Sequence, residues 1–289
     1  MTVDSGSRTV VARRTSLGAL VTVAASAVAL FVVQYLALRT PRGQRWDERV
    51  FQAGTTRPWS AWSWPTRVLA DLTLGLAIAV AVAAVLFALL RRRWYAAVAA
   101  AVLVAGANLS TQILKKDVLT RLNLGVPASN SLPSGHVTAV TSTALAALVV
   151  APLLFRLVLS AATSAAAVLV AYSTLVEGWH RVSDVLAALL VCVFWGCLVL
   201  SFRPASPGAS SAAARRRAVV AGFAGGVVTA VVLVVLSALR GPGTVVEHPA
   251  RSLAVAAAVA GIGCLAGLVS ALVSYFASHP GSEEPVLAS

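Results

Sequence analysis

The chain has 289 residues, 58% of them hydrophobic and only 11% charged, with a mean hydropathy of +0.85. That composition excludes a soluble fold and fits an integral membrane protein, all-α, built as a polytopic transmembrane helix bundle. The formal charge is +13, yet only Lys115 and Lys116 among its 23 basic residues are lysines. Basic residues beside apolar runs are ordinary at membrane surfaces, and no basic stripe interleaved with aromatics is present, so nucleic acid is excluded as a partner.

A spanning helix needs about 20 apolar residues, and eight segments qualify: 16–38, 67–90, 94–114, 135–155, 157–178, 184–202, 218–239 and 252–276. The first follows Arg13-Arg14 but is longer than a signal-peptide core of roughly 7–15 residues, so it is expected to be retained. Residues 39–66 carry Trp46, Trp59, Trp62 and Trp64, as an aromatic belt would. Trp46, Val50 and Phe51 share one helical face there, which predicts a short interfacial helix.

Arg91-Arg92-Arg93 marks a tight turn. Beyond it Asn108, Thr111, Gln112 and Lys115 recur at helical spacing, a polar stripe expected to face the bundle or an aqueous pocket, because lipid would leave it unsatisfied. The close connection near Arg156 returns Glu177, Trp179 and His180 to the membrane face that holds Lys115 and His136. Residues 203–217 read as a flexible linker. Gly222/Gly226 and Gly263/Gly267 in the last two spans allow close packing, either on the core or in a homodimer.

The expected units are a six-span core (1–203), a basic linker (204–217), a two-span C-terminal hairpin (218–276) and a polar tail (277–289). Cys192, Cys197 and Cys264 fall in apolar spans and read as small buried hydrophobes. His248 beside Glu247, and His279 in the tail, have no assigned role.

The chemistry concentrates at Pro133-Ser134-Gly135-His136, between a polar loop and an apolar run. Pro suits the first turn of a helix, Ser caps it, and Gly lets a ligand approach the backbone. A helix start is an anion site through its free N–H groups and dipole, and His136 sets a titratable ring upon it. Lys115, Lys116 and Arg121 lie upstream. His180 and Asp184 lie downstream, four apart, a spacing that on a helix puts imidazole and carboxylate on one face. Cations, an anion-binding helix start and an oriented His are the parts of a phosphoryl-transfer site.

These blocks resemble the type 2 phosphatidic acid phosphatase superfamily of membrane lipid phosphate phosphatases. The Pro-Ser-Gly-His block is intact. In the third block Ser173-Thr174 is followed after five residues by His180 and then Asp184, with Thr174 where the family has Arg. In the first, five residues separate Lys115 from Arg121 where the family has six, and Leu122 replaces its Pro. The resemblance covers about residues 16–203.

It implies a phosphohistidine mechanism. His180 is the nucleophile, Asp184 orients it, and His136 serves as acid and base. Lys115, Arg121, Ser134, Gly135 and the backbone N–H groups of 134–136 hold the phosphate. Arg181 is the nearest cation to make good the Arg missing at 174. Neither a metal nor another cofactor is expected. The partner is a lipid phosphate in the bilayer, first a polyprenyl phosphate or pyrophosphate carrier of the cell envelope, with phosphatidic acid or phosphatidylglycerophosphate as alternatives. The expected setting is a bacterial plasma membrane with the site facing outside. The rival is a catalytically silent member that keeps the fold to bind lipid or serve as a scaffold.

Overall fold

The computed structural model describes residues 16–55, 63–126, 129–204, 211–240 and 248–278, with only the backbone path described at 63–74 and 240. Arg13-Arg14, Trp59, Trp62, the middle of the linker, Glu247 and the tail with His279 lie outside the described residues, as does the side chain of Trp64. Among the described residues there are nine α-helices and no strand: α1 (Leu17–Arg39), α2 (Pro41–Gly54), α3 (Ser63–Leu90), α4 (Trp94–Ile113), α5 (Gly135–Val150), α6 (Arg156–Val176), α7 (Val182–Ser201), α8 (Ala212–Arg240) and α9 (Pro249–Ser278). Six of the helical segments are long and apolar enough to cross a membrane. The protein is a multi-pass membrane protein.

The eight expected spans are all helices, and two of their boundaries move by five residues or more. Helix α5 stops at Val150, before Ala151-Pro152, and its 16 residues make about 24 Å, less than a hydrocarbon core of about 30 Å. It can be short because α3, α4, α6 and α7 surround it, so most of it meets protein. At the other boundary α8 begins at Ala212, so Arg215–Arg217 stand in its first turns and not in the connection.

Lipid gives helices little reason to associate, so packing here rests on small residues and buried hydroxyls. Gly226 and Gly263 approach so closely that a Cβ on Gly226 would run into the Gly263 carbonyl. The α8–α9 hairpin docks on α6, where the Ser160 hydroxyl pairs with those of Ser270 and Ser274 at 3.2 and 2.7 Å. Of these glycines, Gly222 faces Ser160 of α6, whereas Gly226, Gly263 and Gly267 pack α8 and α9 against each other. The polar stripe of α4 faces α5: Asn108 donates to the Ser142 hydroxyl at 3.1 Å and Thr111 pairs with Thr138 at 3.1 Å. Cys192 and Cys197 are buried, whereas Cys264 is exposed on α9.

Arginines close one end of the bundle by donating to helix C-terminal carbonyls, where the helix dipole favours a cation. Arg93 reaches Val150 at 2.6 Å, Arg156 reaches Ala277 at 2.6 Å, and Arg203 also donates to Ala277. At the opposite end α1 and α2 form an elbow at Thr40, which caps α2 through Gly43 N–H at 3.1 Å. The chemistry-bearing residues gather under that elbow.

Candidate active site

Helix α7 begins at Val182, so His180 and Asp184 do not share a helical face as their spacing implies. They meet through a cap. Asp184, in the first turn, reaches back to accept the Arg181 backbone N–H at 2.9 Å, as an acidic residue at N3 does in a capping box. The same oxygen, Oδ2, accepts from the Ser131 hydroxyl at 2.6 Å and lies 3.1 Å from His180 Nδ1. A carboxylate only accepts, so Nδ1 carries a proton, and in the neutral ring the lone pair is on Nε2. His180 is 6% exposed and its amide is anchored to the Thr174 carbonyl at 3.1 Å.

The turn that delivers His180 depends on Gly178, whose φ is +70°. Glycine alone adopts that conformation without cost. A Cβ there would also come within 3.0 Å of the Thr55 methyl at the end of α2.

Ser134 is the N-cap of α5, accepting from Val137 N–H at 3.4 Å. Pro133 precedes the cap and does not occupy the first turn, and its peptide bond to Leu132 is cis. The Ser134 N–H donates to the Asp184 carbonyl at 3.0 Å, so it is not open to an anion as expected. That bond ties the α5 start to the α7 start. His136 follows in the first turn of α5, its ring 5.4 Å from that of Trp179, the neighbour of His180. The two histidines expected to cooperate therefore lie in one neighbourhood. A Cβ on Gly135 would stand 3.5 Å from the Gln112 amide nitrogen, so the end of the α4 stripe also borders this helix start.

Lys115 is half-buried and Lys116 exposed, both on a π-helical turn, Leu114–Val118, that ends α4. Such turns free carbonyls, and Asn130 takes up two of them, donating to Lys115 and Leu119 at 3.1 and 2.9 Å. The extended segment that follows carries Arg121. It is held by Leu122 N–H on the Leu38 carbonyl at 3.2 Å and by Gln44 on the Leu122 carbonyl at 2.7 Å.

The two arginines differ. Arg181 donates from Nε and Nη2 to Glu48 at 3.0 and 2.8 Å, and its guanidinium lies 4.8 Å over the Phe51 ring. It was the cation expected to replace the family's Arg at 174, but it is drawn onto α2. Arg121 has buried Nε and Nη2 with no partner. Burial lowers its pKa first, and the Arg181 charge adds to that, while Asp47, Asp184 and Glu48 oppose it. A half-buried guanidinium with two unpartnered donors, within electrostatic reach of Asp184, has the chemistry to bind an anion. Thr174 supplies no charge, since its buried hydroxyl donates to its own helix at Ala171, 3.0 Å away.

Residues missed in the sequence form the frame. Asp47, 1% exposed, accepts from Ser183 N–H at 3.1 Å and from the Ser183 hydroxyl. Burial, then the nearby Asp184 charge, raise its pKa to about 6 against its hydrogen bonds. Among the described residues no three His, Cys, Asp or Glu side chains gather as a metal site would require.

Residues 107–207 match the family model of the PAP2 superfamily. Over these residues the chain is similar to the PAP2 superfamily. The PAP2 segment runs from α4 past the end of α7 and contains His136, His180, Asp184, Lys115, Arg121, Ser134, Gly135 and Arg181. Helix α2, with Asp47 and Glu48, lies outside it. Among curated proteins and among solved structures nothing matches the chain.

Proposed function

We propose that the protein is a lipid phosphate phosphatase working through a phosphohistidine. The observation that carries this reading is the pairing of His180 Nδ1 with Asp184 at 3.1 Å beside the partnerless buried donors of Arg121. The lone pair on His180 Nε2 forms a bond to phosphorus as the bond to the lipid oxygen breaks. His136 gives its proton to that oxygen. Water then attacks the phosphorus, His136 takes up its proton, and the N–P bond breaks to release phosphate. Arg121, Lys115 and the N–H groups at the α5 start hold the non-bridging oxygens as charge spreads. The scheme balances without a metal or other cofactor.

The site lies at one end of a bundle of membrane spans, so the phosphate belongs to a molecule that lives in lipid. A polyprenyl phosphate or pyrophosphate at the outer face of a bacterial plasma membrane is our first substrate, and a glycerolipid phosphate the second. The experiment is phosphate release by the purified protein from a panel of these lipids in EDTA. Release from one class identifies the substrate. Failure on every member, with the protein folded, favours the silent, lipid-binding reading.

A further inference from the structure

Helices α1, α2 and α7 enclose a groove of about 690 Å³ that the reaction scheme does not use. Val33 on α1 and Leu186 on α7 line its inner part, Arg42 and Arg45 on α2 its outer end, and Asp47 and Ser183 one wall. From Thr40 back to Val33 the α1 wall descends about 10 Å along the helix. The volume is in the range of pockets that hold small organic ligands. A second apolar cavity, of about 220 Å³ between α3, α5 and α6, has no charged residue in its lining.

We propose that the α1–α2–α7 groove holds the hydrocarbon chain of the lipid phosphate substrate. This rests on the phosphatase reading above. Three observations carry it. First, α1 is a spanning helix with most of its surface unburied, so a groove along it opens on lipid and a hydrocarbon chain fills it. Second, the exposed Arg42 and Arg45 at its outer end complement an anionic headgroup and not a zwitterionic one. Third, the elbow that roofs the groove is bonded to both halves of the site. Arg39 donates to the Thr120 hydroxyl at 3.2 Å and Leu38 accepts from Leu122, on either side of Arg121, while Asp47 holds the residue before Asp184. A lipid with its phosphate at Arg121 and His180 has this groove as the apolar path beside it.

Two measurements test the assignment. In Val33→Trp and Leu186→Trp the added ring fills the groove from either wall. Displacing two or more methylenes should lower the ratio of kcat/KM for a long-chain over a short-chain lipid phosphate at least about tenfold. A ratio equal to the parent protein's in both variants overturns the proposal. The second measurement needs no turnover and uses the unmodified protein with a phosphatidic acid bearing a diazirine in its acyl chain. Photolabel should fall on residues 33–37 and 186, displaced by plain phosphatidic acid but not by phosphatidylcholine of equal chain length. Label spread over the lipid-facing helices, or displaced equally by both, overturns it. Absence of hydrolysis with selective labelling intact would remove the phosphatase reading and leave the groove as a lipid phosphate site.

Discussion

Asp47 on α2 accepts both the amide and the hydroxyl of Ser183 in the first turn of α7. The next residue, Asp184, orients His180, so a helix outside the PAP2 segment braces the proposed nucleophile. Asp47→Ala leaves two donors unpaired in a buried place, each at a cost of about 1–3 kcal/mol. We expect kcat to fall at least about tenfold, as if one such bond were lost. Asp47→Asn can still accept the amide and pair with the hydroxyl, and it should keep most of the activity. Initial rates on a lipid phosphate, with circular dichroism to verify folding, check this.

The same carboxylate predicts a pH effect. Its pKa in the folded protein is about 6, above the ordinary 3.8, because burial disfavours the charge. Between those values the folded state binds more protons than the unfolded one, so this group stabilises the fold at low pH and that contribution is lost as pH rises through about 6. Thermal midpoints in detergent at pH 5 and pH 7.5 should differ more in favour of acid in the parent protein than in Asp47→Asn. Equal pH responses would contradict this.

How far the sequence could be read follows from how far apart the partners lie. Spans and the Ser134 cap are written in contiguous residues, and both hold. The short helix expected within residues 39–66 is also present, as α2, but its inner face does not follow the apolar pattern. Trp46 is 47% exposed, and the buried face carries Gln44 and Asp47 with Val50. Periodicity treats polar residues as the outer face, whereas here they turn inward to partners at Leu122 and Ser183, far away along the chain. The shared helical face expected for His180 and Asp184 fails for a related reason: the two meet by a backward-reaching cap at the start of α7. Asn130 and Ser131 went unnoticed because their acceptors, Lys115, Leu119 and Asp184, lie on other segments.

Arg121 and Arg181 should separate in kinetics. Arg121→Ala removes open donors and is expected to lower kcat/KM by about 10²–10³, as loss of a preorganised oxyanion donor does. Arg181→Ala should cost less on a short-chain substrate. Its loss should also be coupled to that of Glu48 in a double-mutant cycle, because the two side chains bind each other. A larger loss from Arg181→Ala than from Arg121→Ala would reverse these assignments.

Gly178→Ala tests the turn that places His180. The residue would adopt positive φ, at roughly 1–2 kcal/mol, and press on the Thr55 methyl at 3.0 Å. Activity should fall while the helical circular dichroism signal stays, since the strain is confined to the α6–α7 connection. Parent-like kcat in this variant would mean the turn tolerates the change.

The central claim is that His180 Nε2 becomes bonded to phosphorus. It is tested most directly by quenching turnover of a ³²P-labelled lipid phosphate and locating the label in the digested protein. We predict an acid-labile, base-stable phosphate on the peptide carrying His180, absent from His180→Ala, which should also lose nearly all turnover. Label on another residue, or continued turnover by His180→Ala, would contradict the account.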